Sequence, residues 1–135
     1  MKELLLEIIT PAKAAYAGSI LSVTVPGEMG NFQVLFNHAP IMSSLEVGKI
    51  KIKDSEGKEL EFFTGGGTIE VLNNKVTVLA ESFESKEEID MERAEKSAQR
   101  AKERMSGKNR NDIDLLRAQA SLNRALNRIK FKNSA

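Results

Sequence analysis

Residues 81–94 read Glu81-Ser82-Phe83-Glu84-Ser85-Lys86-Glu87-Glu88-Ile89-Asp90-Met91-Glu92-Arg93-Ala94, and the 135-residue chain obeys different local rules on either side of them. All three Pro and eight of the nine Gly precede residue 68; the ninth is Gly107. Such punctuation belongs to short elements joined by turns. Charge divides at the same place. Residues 1–80 carry 7 Lys and 9 acids, residues 81–92 one Lys and six acids, and residues 93–135 12 Lys+Arg and four acids. The overall net charge of +1 therefore conceals a near-neutral first part, an acidic junction and a tail of net charge +8.

Upstream of the junction the chain reads as strands. Ile20–Val25 is rich in β-branched residues and runs into Pro26-Gly27. Lys49-Ile50-Lys51-Ile52-Lys53 alternates strictly, which puts both Ile on one face and the Lys in water. Asp54-Ser55-Glu56-Gly57 is a turn into Glu59–Thr64. Thr68–Leu72, Asn73-Asn74 and Lys75–Ala80 form a hairpin whose Asn pair tolerates positive φ. Strands so spaced predict an antiparallel sandwich or barrel, taken as a β-sandwich over residues 1–84.

Downstream the period changes. Ser85-Lys86-Glu87-Glu88 has the form of a capping box, which predicts a helix whose first turns hold Glu87, Glu88, Asp90 and Glu92. Ala94, Ala98, Ala101 and Met105 recur at helical spacing before Ser106-Gly107 breaks the pattern. After a polar stretch, a second helix begins near Asp112 and shows Leu115, Ala118, Leu122, Ala125 and Ile129. Two single apolar stripes predict an antiparallel two-helix hairpin over residues 85–135, so the fold class is β followed by α. Ala buries little apolar area, and helices of this length are marginal alone in water. The hairpin is expected to be the less stable module, able to detach or extend.

Composition excludes several chemistries. With no Cys there is no thiol nucleophile, disulfide or thiolate metal site, and a reducing compartment fits. One His cannot make a multi-His metal site, so no metal is expected. Leu4-Leu5-Leu6 is flanked by Glu3 and Glu7, which suits neither a signal peptide nor a membrane span. Any association with a membrane is expected to run through a partner.

Gly65-Gly66-Gly67 lacks the Lys-Ser/Thr of a phosphate loop and lies between strand-like runs, so it reads as a bulge or close backbone approach. His38 has no nucleophile pattern beside it and reads as a loop histidine. Gly27-Glu28-Met29-Gly30 reads as a turn that pushes an acidic and an apolar side chain outward. Asp90 and Arg93, with Arg124 and Arg128, read either as ordinary helix-surface charges or as a cluster that antiparallel folding brings to one end of the hairpin. Such a cluster suits a polyphosphate. No catalytic constellation is present. A nucleic-acid-binding adaptor is the alternative use of 12 cations in residues 93–135, opposed by Phe131 being the hairpin's single aromatic.

In order and spacing, Val25-Pro26-Gly27-Glu28-Met29-Gly30, Asn37-His38-Ala39-Pro40, Thr64-Gly65-Gly66-Gly67 and Asn74–Ala80, with Ile89-Asp90-Met91-Glu92-Arg93-Ala94 in the hairpin, resemble the epsilon subunit of bacterial F-type ATP synthases. The resemblance implies a non-catalytic subunit of the central stalk, beside the gamma subunit and the proton-driven c-ring. It sits peripherally on the cytoplasmic face of the inner membrane and binds no nucleic acid. It also implies that Glu28, Met29, Gly30, Asn31 and His38 face the ring. The hairpin would move between a folded state and one extended toward the alpha and beta subunits that blocks ATP hydrolysis. Ile89, Asp90, Arg93 and Ala94 match the family's nucleotide motif, Arg124 and Arg128 its basic pair, and Glu84 is a further match for a regulatory ATP site; no cofactor is required. Glu92 stands in that motif where many relatives carry an apolar residue.

Overall fold

The computed structural model describes residues 3–107 and 112–134; the polar stretch read at 108–111 lies outside them. The chain divides into two compact units, Met1–Ser85 and Lys86–Ala135.

Among the described residues the first unit holds nine strands: β1 (Leu4–Ile9), β2 (Ala14–Gly27), β3 (Gly30–Val34), β4 (Ile41–Leu45), β5 (Gly48–Asp54), β6 (Glu59–Thr64), β7 (Gly67–Leu72), β8 (Lys75–Ala80) and β9 (Phe83–Glu84). The sheet runs β1-β8-β7-β4-β2-β5-β6-β9, β3 adds to β2, and β1 also pairs β2, so part of the sheet closes on itself. Closure removes two open edges. All pairings are antiparallel except β1 with β8, which is parallel. The 14-residue β2 turns the corner: its first half pairs β1, its second half pairs β3 and β5, and the register with β5 shifts between Ile20 and Ser22. A shift of this kind bends a strand from one layer into the next.

Alternation explains the core. Ile50 and Ile52 are fully buried, while Lys49 and Lys51 reach across to Glu61 (2.7 Å) and Glu59 (3.4 Å) on β6. Leu4, Leu6 and Ile8 of β1 meet Val76 and Val78 of β8 in the same apolar cluster. Phe83 of β9 stacks on Phe62 with ring centroids 4.3 Å apart. On β2, burial and then the nearby carboxylate of Asp54 push the Tyr16 phenol above its ordinary range, which keeps it neutral.

The second unit is two helices packed on each other, α1 (Met91–Met105) and α2 (Asp112–Asn133). The buried residues of α1 are Ala94, Ala98 and Ala101. Ala118, Ala125 and Phe131 are buried on α2. The stripes read from the sequence are thus the faces that bury.

The start of α1 differs from the capping-box reading. Residues 86–88 form a turn, with the Ile89 N–H donating to the Lys86 carbonyl at 3.3 Å. Asp90 is the N-cap, extended at φ −85°, ψ 105°, and its carboxylate accepts from the Arg93 N–H at 3.1 Å. The reason is tertiary. Lys86 Nζ donates to the Ser134 carbonyl (2.7 Å) and lies 5.5 Å from the Phe131 ring centre, while Lys132 Nζ donates to the Lys86 carbonyl (2.6 Å). That carbonyl serves α2's end, and Ile89 turns inward to 4% exposure. The helix begins only after both demands are met.

Candidate functional site

Three surfaces carry the residues singled out in the sequence. The first is the tip of the β2–β3 hairpin. Gly27 pairs Gly30, and Gly30 takes φ +122°, which an L side chain resists. Glu28 and Asn31 are exposed and Met29 is completely so, at 100%. A wholly exposed Met on a tight turn contributes nothing to the core.

The second is the loop from β3 to β4. His38 N–H closes it onto the Leu35 carbonyl at 3.2 Å, and His38 Nδ1 lies 2.7 Å from the Ala39 carbonyl. A carbonyl only accepts, so Nδ1 carries the hydrogen there. This loop and the Glu28-Met29 turn lie at opposite ends of five-residue β3, roughly 13 Å of strand apart. The residues that the family resemblance assigns to ring-facing loops therefore lie in two loops, one at each end of β3.

The third is the closed end of the hairpin. The lysine clasp fixes the antiparallel register there. Asp90 and Arg93 stand at the start of α1, and Arg124 and Arg128 stand in the second half of α2. Arg93 is exposed, and Arg124, half-buried, donates from Nη2 to Ser121 Oγ at 3.3 Å. The Asp90 carboxylate is engaged as the helix cap rather than in an i,i+3 ion pair with the Arg93 side chain. Glu92 bonds Lys96 at 3.0 Å in an exposed pair, of the kind worth little to stability. Ile89 and Ala94 are buried, so they pack beneath this surface instead of forming it. Glu84 lies in the other unit, half-buried on β9 and paired in register with Phe63.

Sequence spacing missed Lys86, Lys132 and the Asn37–Asn74 pairing, because all three act across 37 residues or more. Gly67 was legible: its neighbours in the sheet are Leu45 and Ala80, a close approach of three backbones. Phe131 is 5% exposed with Lys86 over its ring, so it offers no stacking platform to a nucleic acid. Among the described residues no group of three or more His, Cys, Asp or Glu could hold a metal ion, and no helix is long and apolar enough to cross a membrane.

These features define a chain of two compact units, a partly closed β-sandwich and an alanine-seamed helical hairpin. The beta-sandwich domain of the ATP synthase delta/epsilon chain matches residues 3–86, and that family's long alpha-helix domain matches residues 87–133. The chain belongs to the ATP synthase delta/epsilon chain family. It is 42% identical over 105 residues to the ATP synthase epsilon chain of Desulfatibacillum aliphaticivorans, covering 78% of this chain and 74% of that one. It is 46% identical over 103 residues to the epsilon chain of Pelotomaculum thermopropionicum, covering 76% of each. The fold is similar to a chain in the cryo-EM structure of the Euglena gracilis mitochondrial ATP synthase OSCP/F1/c-ring, with TM-score 0.80, 17% identity, and 94% and 79% of the two chains covered. It is also similar to a chain of the Tetrahymena thermophila mitochondrial central stalk and c-ring, with TM-score 0.64, 15% identity and 96% of each chain covered. The chain is an epsilon-type subunit of the ATP synthase complex and not itself the catalyst.

Proposed function

We propose that this subunit sits in the central stalk of a bacterial F-type ATP synthase, couples c-ring rotation to the catalytic sector, and restrains ATP hydrolysis by moving its helical hairpin. The sandwich contacts the gamma subunit and the c-ring, and the Tetrahymena neighbour supports this by being drawn from a central stalk and c-ring. Glu28, Met29, Gly30 and Asn31 at one end of β3, and His38 at the other, are the rotor-facing residues. In the extended state the basic hairpin meets the alpha and beta subunits. The complex holds the subunit at the cytoplasmic face of the inner membrane.

The observation that carries the reading is the hairpin's buried face, which on α1 is alanine alone. Alanine loses far less on leaving its partner than leucine does, so two arrangements of the hairpin lie close in free energy. Its net charge of +8 over residues 93–135 steers it toward acidic surfaces. Added to an epsilon-free F1 particle, the full chain is expected to lower ATP hydrolysis, and residues 1–85 are expected to leave it unchanged. Equal rates with and without the full chain reject the inhibitory role.

Regulatory ATP binds the closed end of the hairpin in this reading. Arg93, Arg124 and Arg128 meet the phosphates, Asp90 meets a hydroxyl-bearing group, Ile89 and Ala94 pack beneath, and Glu84 is the further residue that the family resemblance assigns to the site. Asp90→Ala is a poor probe, because it also removes a helix cap worth about 1 kcal/mol. Arg93→Ala and Arg124→Ala are cleaner. A ligand at 100 times its Kd stabilises by about 2.7 kcal/mol. Millimolar ATP is expected to raise the unfolding temperature of the unmodified chain and not that of either variant. No shift in the unmodified chain rejects the site.

A further inference from the structure

The His38 loop is fastened from outside itself. The Asn37 N–H donates to Asn74 Oδ1 at 2.6 Å, and Asn74 Nδ2 donates back to Asn37 Oδ1 at 3.2 Å. This reciprocal amide pair joins the β3–β4 loop to the Asn73-Asn74 turn between β7 and β8. The turn is itself anchored, because the Asn74 carbonyl accepts from the Leu5 N–H of β1 at 3.0 Å. Both partners hold left-handed backbone, Asn37 at φ +65° and Asn74 at φ +60°. Glycine would adopt either conformation more easily. Asparagine supplies what glycine lacks, a donor and an acceptor on one short side chain. The residue after Asn37 is His38, so the clamp sets where that ring is presented.

We propose that Asn74 is a positioning residue: from the β7–β8 turn it holds the His38 loop in the conformation that meets the rotor, so that a turn outside the contact governs its strength. The inference rests on the reading above that His38 faces the rotor. Asn74 touches no partner in this scheme and acts through Asn37.

Two variants of the full chain separate the clamp from the turn. Asn74→Gly keeps the left-handed turn and removes both bonds. Asn74→Asp keeps the oxygen that accepts from the Asn37 N–H, with the left-handed backbone still tolerated. Amide hydrogen exchange at Asn37 is expected to quicken about fivefold in Asn74→Gly, as for one lost hydrogen bond, and to stay near the unmodified rate in Asn74→Asp. Binding to an epsilon-free rotor of gamma subunit and c-ring in detergent is expected to weaken by a similar factor in Asn74→Gly and to recover in Asn74→Asp. Unchanged Asn37 exchange in Asn74→Gly overturns the clamp. If His38→Ala weakens rotor binding and Asn74→Gly does not, the positioning role falls while the rotor reading stands. If neither weakens it, His38 is not a rotor contact, and the underlying reading fails together with the role built on it.

Discussion

Gly67→Ala is expected to prevent the sandwich from folding stably, while Gly18→Ala leaves it intact. Gly67 opens β7 at φ +152° and pairs Leu45 of β4 on one side and Ala80 of β8 on the other. A Cβ there falls on the Leu79 carbonyl oxygen and within 3.0 Å of the Ala80 Cα. Both obstacles are backbone, so no side chain can swing aside. Strained φ alone costs about 1–3 kcal/mol for a residue with a Cβ. Relief of the clash requires separating β7 from β8, whose Ile69, Val71, Val76 and Val78 lie at the centre of the core. The combined loss is expected to exceed about 3 kcal/mol, a large share of a small domain's stability. In a domain of this size that lowers the unfolding temperature by more than about 12 °C. Gly66, at φ +104° with its would-be Cβ 3.2 Å from the Leu45 carbonyl, is expected to show a smaller loss. Gly18 has nothing within 4 Å of that position. A Gly67→Ala chain that unfolds within about 4 °C of the unmodified one refutes the argument.

What the sequence disclosed follows from the range of the forces involved. Lys49–Lys53 and the Asn73-Asn74 hairpin were legible because alternation and turn chemistry are local. β1 was not, since Leu4-Leu5-Leu6 lacks alternation: the strand lies between β2, its local partner, and β8, which starts far along the chain at Lys75. β3 and β4 were missed for a related reason. Ile41–Leu45 shows no alternation of apolar and polar residues, and the alternation of Asn31-Phe32-Gln33-Val34 in β3 is only four residues long. The start of α1 was misplaced by five residues because a valid capping pattern at Ser85 lost to a clasp with Lys132 and Ser134.

The candidate sites show the same division. Met29's exposure was readable from Gly27-Glu28-Met29-Gly30, a tight turn with no apolar neighbour to cover it. The separation of that turn from His38 was hidden, because the strand between them announces itself only by the four-residue alternation Asn31-Phe32-Gln33-Val34. Asp90 and Arg93 suggested a side-chain pair at i,i+3, whereas the carboxylate goes to the Arg93 backbone N–H. An exposed N-cap satisfies an orphan donor that a solvated ion pair does not.

The alanine seam makes the second large expected effect. Ala101 and Ala118 are each 2% exposed, Ala94 5% and Ala125 1%. α1 and α2 pack on each other with these alanines buried. Ala101→Leu adds three carbons where two backbones approach, and overpacking of this kind costs about 1–3 kcal/mol. Helices of 15 and 22 residues have little to offset it, because each is marginal alone in water. Amide exchange along α1 and α2 is expected to quicken by roughly 5- to 150-fold, the range that this cost implies. The unfolding of the sandwich, whose core cluster ends at Ala80, is expected to stay where it was. In the proposed function the extended hairpin is the inhibitory one. The variant is therefore expected to inhibit F1 hydrolysis more strongly and to lose its response to ATP, since parting the helices separates Arg93 from Arg124. Unchanged exchange in both helices shows that the seam has room for leucine and removes the thin-seam argument. Faster exchange with unaltered inhibition keeps the seam and breaks its link to the switch.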